Sequence, residues 1–122
     1  MSKSDIKADM LGEGKDRKVF QHKNPSLVYK IEKTKGVNKQ EYQNYLKIKK
    51  LGLEKWVAPC WLACDVLVML KCQPLNNMPE LIPDIFVDCK KDNWGTLNGH
   101  ACLMDYSELR ESTHKRMVRP CT

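Results

Sequence analysis

A chain of 122 residues has the size of one compact domain, which excludes a two-domain enzyme with its active site in an interdomain cleft. Apolar residues at 42% and charged residues at 30% exclude a disordered or fibrous chain. The 21 Lys and Arg against 15 Asp and Glu leave a charge of +6, favouring anionic partners such as nucleotides, nucleic acid or acidic protein surfaces.

The first ten residues, MSKSDIKADM, carry charges where a secretory signal needs an apolar stretch. The central apolar run Val66–Leu70 is far too short to span a bilayer. A cytoplasmic protein with no membrane helix is therefore expected. In that setting the six cysteines, Cys60, Cys64, Cys72, Cys89, Cys102 and Cys121, are expected to be reduced and mostly in the core. Cys60 and Cys64 lack the second ligand pair that a tetrahedral zinc site needs.

In chain order, residues 1–10 read as an N-terminal strand or arm. Arg17–His22 and Ser26–Lys33 follow as strands about a tight turn at Lys23-Asn24-Pro25. The period of two puts Leu27, Tyr29 and Ile31 on one face, and Val28, Lys30 and Glu32 on the other, so Lys30 lies on a sheet surface beside an apolar neighbour. From Val37 to Gly52 the spacing predicts a helix, with Asn38 as N-cap, Glu41 as the capping-box acid and Gly52 as the stop. Glu41 then falls at the margin of the apolar face that carries Tyr45 and Ile48.

Trp61–Cys64 and Val66–Lys71 read as strands joined at Asp65, and Cys72–Asp84, with Pro74, Pro79 and Pro83, as an extended linker. Asn98-Gly99 is the dipeptide preferred in a type I′ hairpin turn. Pairing outward from it sets Leu97 against His100, Gly95 against Cys102 and Asn93 against Met104. Asn93 then lies diagonally beside Asp105, where two oxygen ligands can share one cation. His100 is expected to face solvent. The residues after Asp105, with Arg110, Lys115, Arg116 and Arg119, read as a short helix or frayed tail.

The order of these residues is more informative than any one of them. L-G-E-G-K-D-R-K-V runs from Leu11 to Val19, then V-Y-K ends at Lys30, Glu41 stands on a helix, D-C-K-K-D-N runs from Asp88 to Asn93, and M-D-Y places Asp105. This resembles the protein-kinase signature set in its correct order, with Asn five residues after Asp in the catalytic-loop pattern. The resemblance covers residues 11–107 and is to a shortened kinase-like fold of the kind seen in small bacteriophage proteins. It departs from the pattern in three places. Arg17 stands where the third glycine is usual, Phe86-Val87-Asp88 replaces His-Arg-Asp, and Asp105-Tyr106-Ser107 stands in for Asp-Phe-Gly.

The resemblance implies an α+β fold in one domain: an N-lobe-like antiparallel sheet with one αC-like helix in residues 11–71, then a hinge, a catalytic-loop-like segment and a metal-bearing β-hairpin in 72–107, and a basic tail in 108–122. The helical C-lobe is largely missing. It further implies ATP and Mg²⁺ as ligands. Gly12, Gly14 and Val19 would lie against the nucleotide, Lys30 would neutralise phosphates while paired to Glu41, and Asn93 and Asp105 would hold Mg²⁺. Asp88 would accept the proton of the attacking hydroxyl, and Lys90 would steady the γ phosphate.

Two functions follow as expectations. One is a phosphotransferase acting on host proteins of an infected bacterium or on itself, with Ser107, Ser112 and Thr113 as candidate self-acceptors. The other is a catalytically weak binding module that captures a bacterial protein or a second copy through apolar surface at Leu75, Met78, Leu81, Ile82, Ile85 and Phe86. Nucleic acid is disfavoured as a partner: Lys47, Lys49, Lys50 and Lys55 read as a solvated face, and Trp61 and Trp94, unlike Trp56, fall in strands where a core role is expected.

Overall fold

The computed structural model describes residues 9–87, 90–111 and 116–120. They form an α+β fold in which one α-helix packs on an antiparallel sheet. Strands β1 (Met10–Glu13), β2 (Arg17–Gln21) and β3 (Leu27–Glu32) precede helix α1 (Val37–Lys50); β4 (Cys60–Ala63) and β5 (Val66–Leu70) follow it. The sheet order is β1-β2-β3-β5-β4, antiparallel throughout. No helix among the described residues is long and apolar enough to cross a membrane.

The local chemistry of each turn fixes these boundaries. Between β2 and β3, Asn24 accepts the Ser26 N–H at 2.9 Å through its side chain and the Leu27 N–H at 3.0 Å through its carbonyl. Helix α1 stops as expected at Gly52, whose φ of 75° suits the left-handed position. Gly52 and Leu53 donate to the carbonyls of Lys49 and Ile48, the two reverse bonds of a Schellman closure.

The helix start differs from expectation. Its N-cap is Gly36, at φ 92°, and Asn38 lies inside the helix, fully buried. The free N–H groups of Gly36 and Asn38 are satisfied from outside by the Glu32 carboxylate, at 3.2 and 3.1 Å. The Asn38 side chain is thereby released to donate to the carbonyls of Lys30 and Asp65, at 2.8 and 2.6 Å, pinning α1 to the β3 and β4–β5 backbone. The buried stripe of α1 is Asn38, Glu41, Asn44 and Ile48, so Glu41 lies in the middle of the covered face and not at its margin.

The second part of the chain is more ordered than a linker and a tail. Strand β6 (Gln73–Pro74) joins β8 (Trp94–Leu97) and β9 (His100–Leu103) in a three-stranded sheet. Strand β7 (Ile82–Pro83) pairs with β10 (Met117–Val118), where a helix or frayed tail was expected. Beside that pair, Phe86 bridges Leu109, and Arg110 donates to the Ile85 carbonyl at 2.8 Å. The chain's own later residues therefore cover Ile82, Ile85 and Phe86, leaving each at most 3% exposed. The expected apolar docking segment is reduced to Leu81, exposed at 47%, with Leu75 and Met78 half-buried.

The β8–β9 hairpin has the register set by its turn. Leu97 pairs with His100 and Gly95 with Cys102, while Asn98 and Gly99 take φ of 53° and 78°. The core runs between the two sheets, from Ile48, Leu67 and Met69 through Val57 and Ala58 to Leu103 and Tyr106. Trp94 is buried in it against Phe86. Trp61, also expected in the core, is half exposed, because alternation along β4 turns it away from the helix-bearing face that holds Cys60. His100 is half-buried, edge-on to Trp56, and so does not simply face solvent. Of the cysteines, Cys60 and Cys102 are buried, Cys72 is half-buried and Cys64 is exposed, so the expectation of mostly core positions is met by two of these four.

Candidate functional site, a buried charge cluster

The sheet register gathers residues that are far apart in sequence. Gly12 pairs with Val19, Val19 with Lys30, and Lys30 with Leu67, so these four form one row on the face that α1 covers. Arg17, two residues before Val19, shares that face. Glu41 descends onto it from α1. The Lys30 Nζ donates to Glu41 Oε1 at 2.8 Å and also to the Met104 carbonyl. Arg17 donates through one nitrogen to the same Glu41 oxygen and through the other to Asp105 Oδ1 at 2.9 Å.

The result is two cations and two carboxylates in one network, with Arg17 at 6%, Lys30 at 5% and Glu41 at 0% exposure. Charges this deep persist only when paired and fully hydrogen-bonded. The pairing here is dense. Glu41 Oε2 accepts the Tyr106 N–H at 2.6 Å, and Asn44 donates to the carbonyls of Tyr106 and Ser107 at 2.8 and 3.0 Å. Among the described residues, no buried side-chain nitrogen or oxygen lacks a partner. The Tyr106 hydroxyl donates to the Ala58 carbonyl at 2.5 Å, which fixes the turn after β9 under the helix.

Asp105 is the most exposed member, its side chain 39% accessible. Burial pushes its carboxyl up, but Lys30, Arg17 and the Ser107 N–H and O–H together hold it below the ordinary aspartate range. Burial likewise lowers the Arg17 guanidinium, and Glu41 and Asp105 outweigh it, so Arg17 is fixed as a cation. A carboxylate held lower in the folded state adds stability above its unfolded pKa of about 3.9, and that stability is lost as pH falls through the folded value. The melting temperature should therefore fall below about pH 4, and less steeply for Asp105→Asn. Parallel acid limbs in the two proteins would remove Asp105 from this role.

The fold brings some of the expected site residues together and leaves others apart. Gly12, Val19, Lys30, Glu41 and Asp105 lie along the row or in the cluster. Asn93 reaches it through the backbone, its carbonyl accepting the Met104 N–H at 2.8 Å, one residue before Asp105. Gly14 sits in the β1–β2 turn, donating to the Arg17 carbonyl at 2.8 Å. Lys90 is exposed at the start of the 3₁₀ turn that leads to Asn93. Asp88 lies outside the described residues, as do Cys89, Ser112, Thr113, Lys115 and Cys121.

Sequence reasoning missed Arg17, Asn38, Asn44 and Tyr106 as members of the network. For Arg17 a signal existed: an arginine two residues before Val19 in a strand must share the face of Lys30. Trp94 is buried and unavailable for base stacking and Trp56 is half-buried against His100, while Lys47, Lys49 and Lys50 close the last turn of α1, where they complement its dipole.

The chain matches no family model, no curated protein and no solved structure.

Proposed function

We propose that this chain is a shortened protein-kinase-like protein that binds ATP with Mg²⁺ along the row Gly12, Val19, Lys30 and acts as a phosphotransferase on a bacterial host protein or on itself. The observation that carries this reading is the strand-to-helix ion pair Lys30–Glu41 with Asp105 in the same network. An ammonium oriented in this way is suited to neutralise phosphate oxygens, and phosphoryl transfer depends mainly on positioning and charge neutralisation. Two further observations support it. A Cβ at Gly12 would meet nothing within 4 Å, and one at Gly14 only the Arg17 carbonyl at 4.0 Å. Neither glycine has a positive φ, so close approach of a ligand to the backbone remains as a reason for glycine there.

Asp105 with Asn93 suits a cation that takes few protein oxygens and completes its shell from phosphate and water. Among the described residues no three His, Cys, Asp or Glu side chains cluster as an all-protein cage. Bound magnesium would supply charge neutralisation on the transferring group. Asp88 as proton acceptor and Lys90 as a γ-phosphate contact belong to the reading through the resemblance alone.

A second reading, a catalytically weak kinase-like binding module that captures a bacterial protein, is favoured by one observation. Arg17 already neutralises the carboxylate that magnesium would need. Both readings require nucleotide to be distinguished from catalysis. A ligand that binds only the folded state at a hundredfold excess over Kd stabilises it by about 2.7 kcal/mol. A thermal shift of several degrees is expected with ATP and Mg²⁺, lost in Lys30→Met and Asp105→Asn variants that remain folded by circular dichroism. No shift in the unaltered protein at millimolar ATP would overturn nucleotide binding. Transfer from labelled ATP to the chain or to bacterial lysate, abolished by Asp88→Asn, separates a phosphotransferase from the weak module.

A further inference from the structure

We infer that Cys72 and Cys102 are a peroxide-sensitive thiol pair that closes into an intramolecular disulfide across the three-stranded sheet. The inference stands apart from nucleotide binding and rests on how that sheet is built. Its central strand β8 carries Gly95, which pairs with Cys102 of β9 on one side and with Pro74 of β6 on the other. A Cβ at Gly95 would lie 2.6 Å from the Cys72 Cβ and 2.8 Å from the Gln73 carbonyl oxygen. Gly95 is therefore a packing glycine: the space above it belongs to Cys72, which leans over the central strand toward Gly95's other neighbour. The two thiols meet there and share a hydrogen bond.

Their environments divide the roles. Cys102 is 1% exposed, whereas Cys72 is half-buried and reachable. The hydrogen bond with Cys102 holds the Cys72 thiol below its usual range against the opposing effect of burial, and the Lys30 charge adds to the lowering. The same bond, with burial, pushes the Cys102 thiol far up. Cys72, the reachable thiol, is therefore the one that meets the oxidant, and the covered Cys102 is the resolving thiol. By contrast, Cys60 is buried, and its thiol is pushed up to about 11 mainly by burial.

The chemistry balances with a hydroperoxide as oxidant. The Cys72 thiolate attacks one peroxide oxygen, the O–O bond breaks, and hydroxide leaves with Cys72 as the sulfenic acid. The Cys102 sulfur then forms the S–S bond and displaces hydroxide from Cys72, and its proton goes to the hydroxide as water. With hydrogen peroxide the sum is two thiols oxidised by two electrons and the peroxide reduced to two waters. The bond would tie the chain just after β5 to β9, the strand that leads into Met104 and Asp105.

The test uses the full chain with Cys89→Ser, in which tryptic cleavage after Lys71, Lys90, Lys91 and Arg110 leaves Cys72 and Cys102 as the sole thiols of their peptides. After mild hydrogen peroxide, the majority of chains should yield the linked peptide 72–90 with 92–110, lighter by two hydrogens than the separate peptides and lost on reduction. In a Cys102→Ser background, which keeps a hydrogen-bond donor beside Cys72 but no second sulfur, Cys72 should instead be trapped by dimedone as the sulfenic acid. Both cysteines remaining free to alkylation, Cys72 passing to the sulfinic acid unlinked, or linkage of Cys72 to a different cysteine would each overturn the inference. Linkage between separate molecules, seen as a covalent dimer, would do the same.

Discussion

Replacing Glu41 with alanine is expected to cost about 3–5 kcal/mol of folding stability, the range for removing one partner of a buried ion pair. Small domains hold only about 5–15 kcal/mol in total, so the variant should be partly unfolded at 37 °C. The reason is specific to this carboxylate. Glu41 accepts from Arg17, Lys30 and the Tyr106 amide, and without it two buried cations face each other with Asp105 as the remaining carboxylate. Urea denaturation measures the loss. A triple replacement, Arg17→Met, Lys30→Met and Glu41→Leu, removes the three buried charges together, leaving the partly exposed Asp105 on its Ser107 hydrogen bonds, and should be more stable than the single variant. If Glu41→Ala loses less than about 1 kcal/mol, the cluster does not hold α1 to the sheet as argued.

Arg17→Gln is expected to increase the dependence of ATP binding on Mg²⁺. In the unaltered chain the Asp105 carboxylate is engaged by Arg17 at 2.9 Å, and a second cation can use that oxygen only by displacing the first. Asp105 is partly exposed, so one ion pair there amounts to about 1 kcal/mol, and tenfold in Kd is 1.4 kcal/mol. The ratio of ATP affinity with Mg²⁺ to that without should therefore rise roughly fivefold. Glu41 keeps Lys30 and the Tyr106 amide in this variant, so the fold survives for titration calorimetry. An unchanged ratio would mean that Arg17 does not compete with the metal. A fall would mean that Arg17 itself binds the phosphates.

Local signals carried much of the fold. Asn98-Gly99 set the hairpin register because a two-residue turn with both φ positive leaves no freedom to slip. Gly52 ended the helix for a similar reason. Arg17–Gln21, Leu27–Glu32 and the β4–β5 pair were legible from alternation. What was not legible depends on groups distant in sequence. The helix start is set by Glu32, a strand residue outside the helix, so Asn38 did not need to cap it. The β7–β10 pair is two residues long on each side, too short to leave a periodic trace, and its partner lies over thirty residues away. In the cluster, Lys30, Glu41 and Asp105 came from ordered motifs. Arg17 entered that reading only as a misplaced glycine, because its partners are 24 and 88 residues away.

Those separations govern how the molecule assembles. Lys30 meets Met104 across 74 residues and Arg17 meets Asp105 across 88, so the network closes only when the hairpin and the five-stranded sheet come together. Rates fall as contacts become more distant along the chain, because loop closure is costly before the contacts can compensate. A half-built network would strand ionised groups in an apolar interior, so these charges stay hydrated until it closes. The barrier crossing should accordingly be slow for a chain of this length, with the charges dehydrated on its native side, and substitutions at Arg17 should accelerate unfolding far more than they retard refolding.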